Sequence, residues 1–260
     1  MPALEPDMKR LIVNADDFGR TPGVNEGTLE AYFKGIVTSA TVMILEPAAQ
    51  EGIRLARAVA PDLGLGLHFT VTGGGPCASP PGSVPHLTLG GHFVRSVEDL
   101  PDRIPAAEVK RELEAQIALF EQAAKAKPTH LDSHHHAALH VSVQPVFAEV
   151  ASKRGLPVRA AGARAREQLH KADLRLPDHF IESFYGSGAT VENLKFVLAH
   201  LREGVSELMC HPGHPDEALI AGSSYAQERE REVAALCDPA IREMLAADGI
   251  ELVTFRELSD

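Results

Sequence analysis

The 260 residues contain no tryptophan, only 5% aromatic side chains and three cysteines. So few rings leave little material for any ligand site built on stacking. Cys77, Cys210 and Cys237 are odd in number and widely spaced, which excludes a disulfide framework and a paired-cysteine metal site, and fits a reducing compartment. Cys210 precedes His211 but ends the apolar run SELMC, where a small buried residue is expected rather than a nucleophilic thiol. Positive charge is also scarce. With 25 Lys and Arg against 36 Asp and Glu, the net charge of −11 offers no basic track for a phosphate backbone, so nucleic acid is excluded as a partner. No apolar run is long enough to span a bilayer. The opening MPALEPDMKR carries acids and prolines where a secretion signal needs a cationic and then an apolar stretch, so a cytoplasmic location is expected.

The composition that is present, 44% apolar and 23% charged, is that of a globular chain able to bury a sizeable core. Its length predicts one domain over 1–260, at the usual size of an α/β barrel. Short apolar runs alternate with longer amphipathic stretches, the pattern of successive βα units. Strands are predicted at 11–15, 37–44, 63–70, 128–133, 156–160, 178–183, 206–211 and 251–255. A first helix opens at Thr21-Pro22, a hydroxyl cap followed by proline, and runs to about Lys34-Gly35. A second, at 106–126, places Val109, Leu113, Ile117 and Phe120 on one face, with Lys110, Glu112 and Glu114 outward. A third, at 225–247, is dense in Glu and Arg and reads as one solvated outer face with no function. The stretch 71–105, rich in Gly and Pro, is an irregular loop that reads equally as a binding wall or as a surface excursion.

Polar residues suited to chemistry sit at the C-terminal ends of different strands, which converge on one face of a parallel barrel. Asp16 and Asp17 follow LIVNA, His68 closes LGLGLH, Asp132 and His134 close PTHLDSH, Arg159 closes LPVR and His211 closes SELMCH. Adjacent aspartates after a buried strand repel one another unless a cation intervenes, or else they cap the next helix. One could ligate and the other face substrate only if the strand has given way to a loop at Asp16. Five histidines and an aspartate in HLDSHHHAALH exceed what packing requires, and a set of one Asp and two His suits Zn²⁺ or a similar divalent ion. Not all five can ligate. His211 lies in CHPGHPD, a turn that fixes an imidazole where a general acid would stand. Arg159 reads either as a group orienting Asp16 or as a structural ion pair.

The strings NADDFG (14–19), GLHFT (66–70), PTHLDSHHH (128–136) and CHPG (210–213), in order along the chain, resemble the YdjC-like carbohydrate deacetylases, which include chitooligosaccharide deacetylases and a hopanoid-biosynthesis branch. The resemblance implies a distorted (β/α) barrel of the glycoside hydrolase and deacetylase type. It implies removal of an acetyl group from an N-acetylated amino sugar, free, oligomeric or in a glycolipid. It further implies one divalent metal ion, Zn or Mg, held by Asp17, His68 and His134, with Asp16 as general base by analogy with related polysaccharide deacetylases. The chain departs from the family pattern at 137–140, which leaves His140 without an implied role. For a sugar substrate, Phe18, Phe69, Phe93, Phe184 and Tyr185 are the stacking candidates, unranked by sequence. A metal-dependent phosphoesterase, which often recruits two metals, and a non-catalytic sugar- or metal-binding protein are the alternatives. A homodimer is left open.

Overall fold

The computed structural model describes residues 8–258. The opening MPALEPD, part of the segment judged above for a secretion signal, lies outside the described residues. Strand β1 (Lys9–Phe18) is buried along almost its whole length, as its continuous apolar run requires of a strand covered on both faces. Thr21 then caps α1 (Pro22–Phe33), its hydroxyl accepting from the Val24 N–H, with Pro22 in the first turn where its missing N–H costs nothing. The alternation continues through β2 (Ser39–Val42), α2 (Ala49–Val59) and β3 (Gly64–Phe69).

After β3 the 71–105 stretch carries only a short antiparallel ribbon, β4 (Thr88–Leu89) with β5 (His92–Phe93). Next come α3 (Ala106–Ala124), β6 (Leu131–Ser133), α4 (Gln144–Arg154), α5 (Ala163–Lys171), β7 (His179–Ile181), α6 (Val191–Ala199) and β8 (Gly204–Cys210). The chain closes with α7 (Glu217–Gly222), α8 (Gln227–Leu236), α9 (Pro239–Ala247) and β9 (Glu251–Leu252).

The main sheet is parallel, in the order β6-β3-β2-β1-β8-β7. Along one edge, β1 is shared: β9 pairs with it at Arg10 and Leu11, and β2 from Asn14 to Phe18. The predicted strand at 156–160 contributes a single parallel bridge, Val158 to Leu131. Among the described residues no strand pairing joins Val158 to β7, so the α/β barrel is distorted and open there. Side chains span that opening, the Arg159 guanidinium lying 5.3 Å from the centre of the Phe180 ring. Because the strands run in parallel, their C-terminal ends gather Asp16, Asp17, His68, Asp132 and His134 on one rim. No helix among the described residues is long and apolar enough to cross a membrane.

Two helical expectations are corrected. Glu112 does not face outward; it is fully buried and accepts hydrogen bonds from the Ala78 and Ser79 N–H groups at 2.8 and 3.0 Å and from Gln116 Nε2. It sits beside the apolar face of α3, and the loop folds down over it. Glu108 does the same one turn earlier, accepting from the His86 N–H and pairing with His86 Nδ1 at 2.7 Å. With Val84, Leu87, Phe93 and Leu100 buried in the core, the 71–105 stretch is a fixed wall of the fold. Glu112→Ala would leave two N–H groups without acceptors, at a cost of about 1–3 kcal/mol. The expected readouts are a lower denaturation midpoint and faster proteolytic cleavage within 71–105.

The 225–247 segment is two helices, because Asp238 caps a new start and Pro239 cannot continue the old helix. Nor is it a purely solvated face. Arg229, Glu232, Val233 and Leu236 are buried, the two charged residues pointing at the rim just described.

Candidate active site

Strand alternation would send Asp16 and Asp17 to opposite faces. The pairing of β1 with β2 shifts register between Ala15 and Phe18, and Asp17 adopts φ +65°, so both carboxylates line one cavity. A left-handed aspartate costs roughly 1–3 kcal/mol. The backbone around it is secured by Arg20 N–H donating to Asp17 O and Gly19 N–H donating to Asn25 Oδ1 at 2.7 Å.

Asp17, His68 and His134 form a buried group of donors close enough to hold one metal ion. Asp17 Oδ1 lies 3.1 Å from His134 Nδ1 and 3.4 Å from His68 Nε2, yet it is buried with no aligned hydrogen-bond partner. Such an orphaned carboxylate oxygen is costly unless a cation meets it, so the donors present fit a divalent ion. The other oxygen, Oδ2, accepts from Arg229 at 2.5 Å and from Arg20 at 3.4 Å. Burial resists charge on Asp17, but Arg229 and His134 beside it hold its carboxyl well below the usual range.

The second nitrogen of His68, Nδ1, is 2.7 Å from Asp132 Oδ1, a carboxylate–imidazole pairing of the kind that orients ligating histidines, and Nε2 is left facing Asp17 Oδ1. Asp132 Oδ2 accepts in turn from Thr41 and Asn14. Burial opposes charge on His68, but Asp132 and Asp17 carry its pKa up to about 10.

Asp16, His68 and Asp132 also converge, but a guanidinium already occupies their midst. Arg159 donates to both oxygens of Asp16 at 2.6 Å, to Glu207 at 2.7 Å, and lies 3.1 Å from Asp132. This second group therefore already has its counter-charge, whereas the Asp17–His68–His134 group has no such guanidinium in its midst among the described residues. Burial pushes the Glu207 carboxyl up to about 7 despite Arg159.

His211 Nε2 stands 3.9 Å from Asp16 Oδ2. Its backbone N–H donates to Glu232, whose other oxygen accepts from the Tyr225 hydroxyl at 2.5 Å. Burial, with Arg229 and Arg159 nearby, brings the His211 pKa down to about 4 although Asp16 and Asp17 pull upward. Burial likewise pushes Glu232 up to about 7.

The structure thus gathers five of the six sequence-derived site residues, Asp16, Asp17, His68, His134 and His211, around one cavity of about 880 Å³, with Arg159 buried behind Asp16 and bonded to it. Of the other histidines of the 130–140 run, His135 and His136 also line this cavity but stand outside the Asp17–His68–His134 group, and His130 and His140 do not line it. His130 stacks on Phe255 and bonds Asn14, His135 stacks on His134 and meets Thr72, His136 approaches Glu182, and His140 serves the backbone of Ser142. Arg229, Glu232 and Tyr225 were missed. The available signal was spacing: 229, 232, 233 and 236 share one face with Val233 and Leu236, so the charged pair belongs to the buried side.

Residues 10–247 match the model of a family described as YdjC-like protein. A carbohydrate deacetylase of Geobacillus stearothermophilus is 41% identical over 95% of this chain and 96% of its own. A chitooligosaccharide deacetylase of Salmonella typhimurium is 34% identical over 95% and 98%. A crystal structure from Enterococcus faecalis V583, of a protein provisionally named for cellobiose-phosphate cleavage, superposes with a TM-score of 0.92 at 33% identity, covering 97% of this chain and all of that one. With the motifs, the fold and the relatives in agreement over nearly its whole length, the chain belongs to the YdjC-like family.

Proposed function

We propose that this chain is a divalent-metal-dependent carbohydrate deacetylase that removes the N-acetyl group from an N-acetylated amino sugar and releases acetate. The observation that carries the reading is the buried, unpartnered Asp17 Oδ1 between two imidazoles, with Asp16 and His211 beside it. The names of the relatives, carbohydrate and chitooligosaccharide deacetylase, support the substrate class.

Asp17, His68 and His134 would hold the metal, which when bound supplies Lewis acidity toward the acetamide carbonyl and lowers the pKa of water in the site from about 15.7 toward ~7. Asp16 accepts a proton from the attacking water, and Arg159, bonded to both its oxygens, keeps the carboxylate aimed. With its pKa down to about 4, His211 rests neutral near pH 7, so the proton it delivers to the departing nitrogen is one gained during turnover. Asp16, 3.9 Å away, is the neighbouring group that acquires one.

Of the two alternatives, the phosphoesterase often needs a second cation, and Arg159 stands where that cation would sit. The test is acetate release from N-acetylated mono-, di- and glycolipid-linked sugars by metal-depleted and reconstituted protein. Expected are one equivalent of metal per chain, loss of acetate release on chelation, and its return with Zn²⁺ or a similar ion. Two equivalents, together with release of phosphate rather than acetate, would support the phosphoesterase. Metal binding without turnover on any of these sugars would support a binding protein.

A further inference from the structure

A deacetylase needs a surface for the sugar ring that carries the acetamide, and the scarcity of aromatics lets that surface be found by elimination. Phe18, Phe69, Phe93 and Phe184 are all buried in the core. Phe33 and Phe196 are exposed but do not line the cavity. The aromatic side chains that do line it are Tyr185 and Tyr225. Their rings stack nearly parallel, 12° apart with centres separated by 4.2 Å. Tyr225 is fixed, its hydroxyl donating to Glu232 and accepting from the Gly186 N–H. Tyr185 is 47% exposed. One face of its ring is covered by Tyr225, so its exposed area lies on the other face and the edge.

The position of this ring is as telling as its exposure. Tyr185 meets the His211 ring edge-on, with centres 5.3 Å apart. In the proposed reaction His211 serves the departing nitrogen, and the atom bonded to that nitrogen is C2 of the amino sugar. A flat apolar surface beside His211 therefore lies where the pyranose ring must be when its nitrogen leaves. We propose that Tyr185, backed by Tyr225, is the stacking platform for the pyranose ring that bears the N-acetyl group, packing against the axial C–H face of that ring. Tyr225 acts through Tyr185 as a positioning residue. The proposal rests on the deacetylase reading.

Stacking and simple support of His211 make different demands. A platform needs an aromatic ring and binds substrate in the ground state as well as the transition state, so its loss raises KM. A brace for His211 would instead affect kcat. The experiment compares Tyr185→Phe, Tyr185→Trp and Tyr185→Ala for acetate release from N,N′-diacetylchitobiose, with KM and kcat separated. In parallel, binding of the same disaccharide to Asp16→Asn protein with and without Tyr185→Ala is followed by saturation-transfer NMR. Expected are near-unchanged kinetics for Phe and Trp, a KM about tenfold higher for Ala with kcat changed much less, and loss of saturation transfer to the ring C–H protons in the Ala variant.

A fall in kcat at constant KM, or an Ala variant indistinguishable from wild type, overturns the platform while leaving the deacetylase reading intact. Failure of the wild type to release acetate from any N-acetylated sugar is seen before any variant is compared. It removes the deacetylase reading, and the platform with it.

Discussion

Asp16→Asn is expected to lower kcat for acetate release by about 10²–10⁴, the usual contribution of a positioned general base, while metal content stays at one equivalent. The side chain keeps its size, and the amide oxygen still accepts from Arg159, though the amide nitrogen cannot. Asp16 does not belong to the Asp17–His68–His134 group, so nothing in the donor set changes. The check is steady-state acetate release alongside metal analysis of the same preparation. A variant retaining more than a tenth of wild-type kcat would remove Asp16 from the role of base. Loss of metal together with activity would place it among the ligands instead.

The second large effect is on stability. Arg159 is buried and is the counter-charge for Asp16, Asp132 and Glu207 together. Arg159→Met removes the cation and leaves the carboxylates, the situation in which breaking a buried pair costs about 3–5 kcal/mol. Arg159→Lys should recover little, since one ammonium cannot reproduce the bidentate fork on Asp16 and the bond to Glu207. The deficit should depend on pH. Glu207 already has a folded pKa pushed up to about 7 by burial, with Arg159 pulling it down; without Arg159 it rises further. A carboxyl whose folded pKa exceeds its unfolded value contributes stability below the unfolded pKa and loses it as pH rises through the folded one. The gap in Tm between wild type and Arg159→Met should therefore be wider at pH 8 than at pH 6. A constant gap would mean that Glu207 is not held by Arg159 in solution.

These expectations depend on features of unequal legibility. The apolar runs LIVNA, LGLGLHFT and SELMCH announced parallel, doubly covered strands, and the polar residues at their ends announced the rim, because a strand's period and burial are local properties. The bulge at Asp17 was only stated as a condition. Whether a strand frays at a given residue depends on what pairs with it, and here β2 takes up its register again only at Phe18. The charged run around Arg229 and Glu232 read as solvated because charge density dominates such a window. Burial of that pair is decided by partners more than 200 residues away, Asp17, and about 20 away, His211. Glu112 misled for the same reason, since its partners are backbone N–H groups of a loop with no periodicity to read.

Among the histidines, sequence marked the cluster as too dense for packing, and the resemblance selected His134. The left-handed backbone at His135 and His136 explains why neighbours in one run point to different partners. The same limit applied to the aromatics. Tyr185 was one of five candidates until burial removed the other four, and Tyr225 entered only through its stacking on Tyr185.

The most direct test of the metal site is an anomalous-diffraction map from crystals grown with Zn²⁺, recorded on both sides of the zinc edge. One peak is expected, about 2.0–2.2 Å from Asp17 Oδ1, His68 Nε2 and a ring nitrogen of His134, with Asp16 still bonded to Arg159 and outside the ligand set. A peak between Asp16 and Asp132 with Arg159 displaced, or one that leaves Asp17 Oδ1 without a partner, would contradict it.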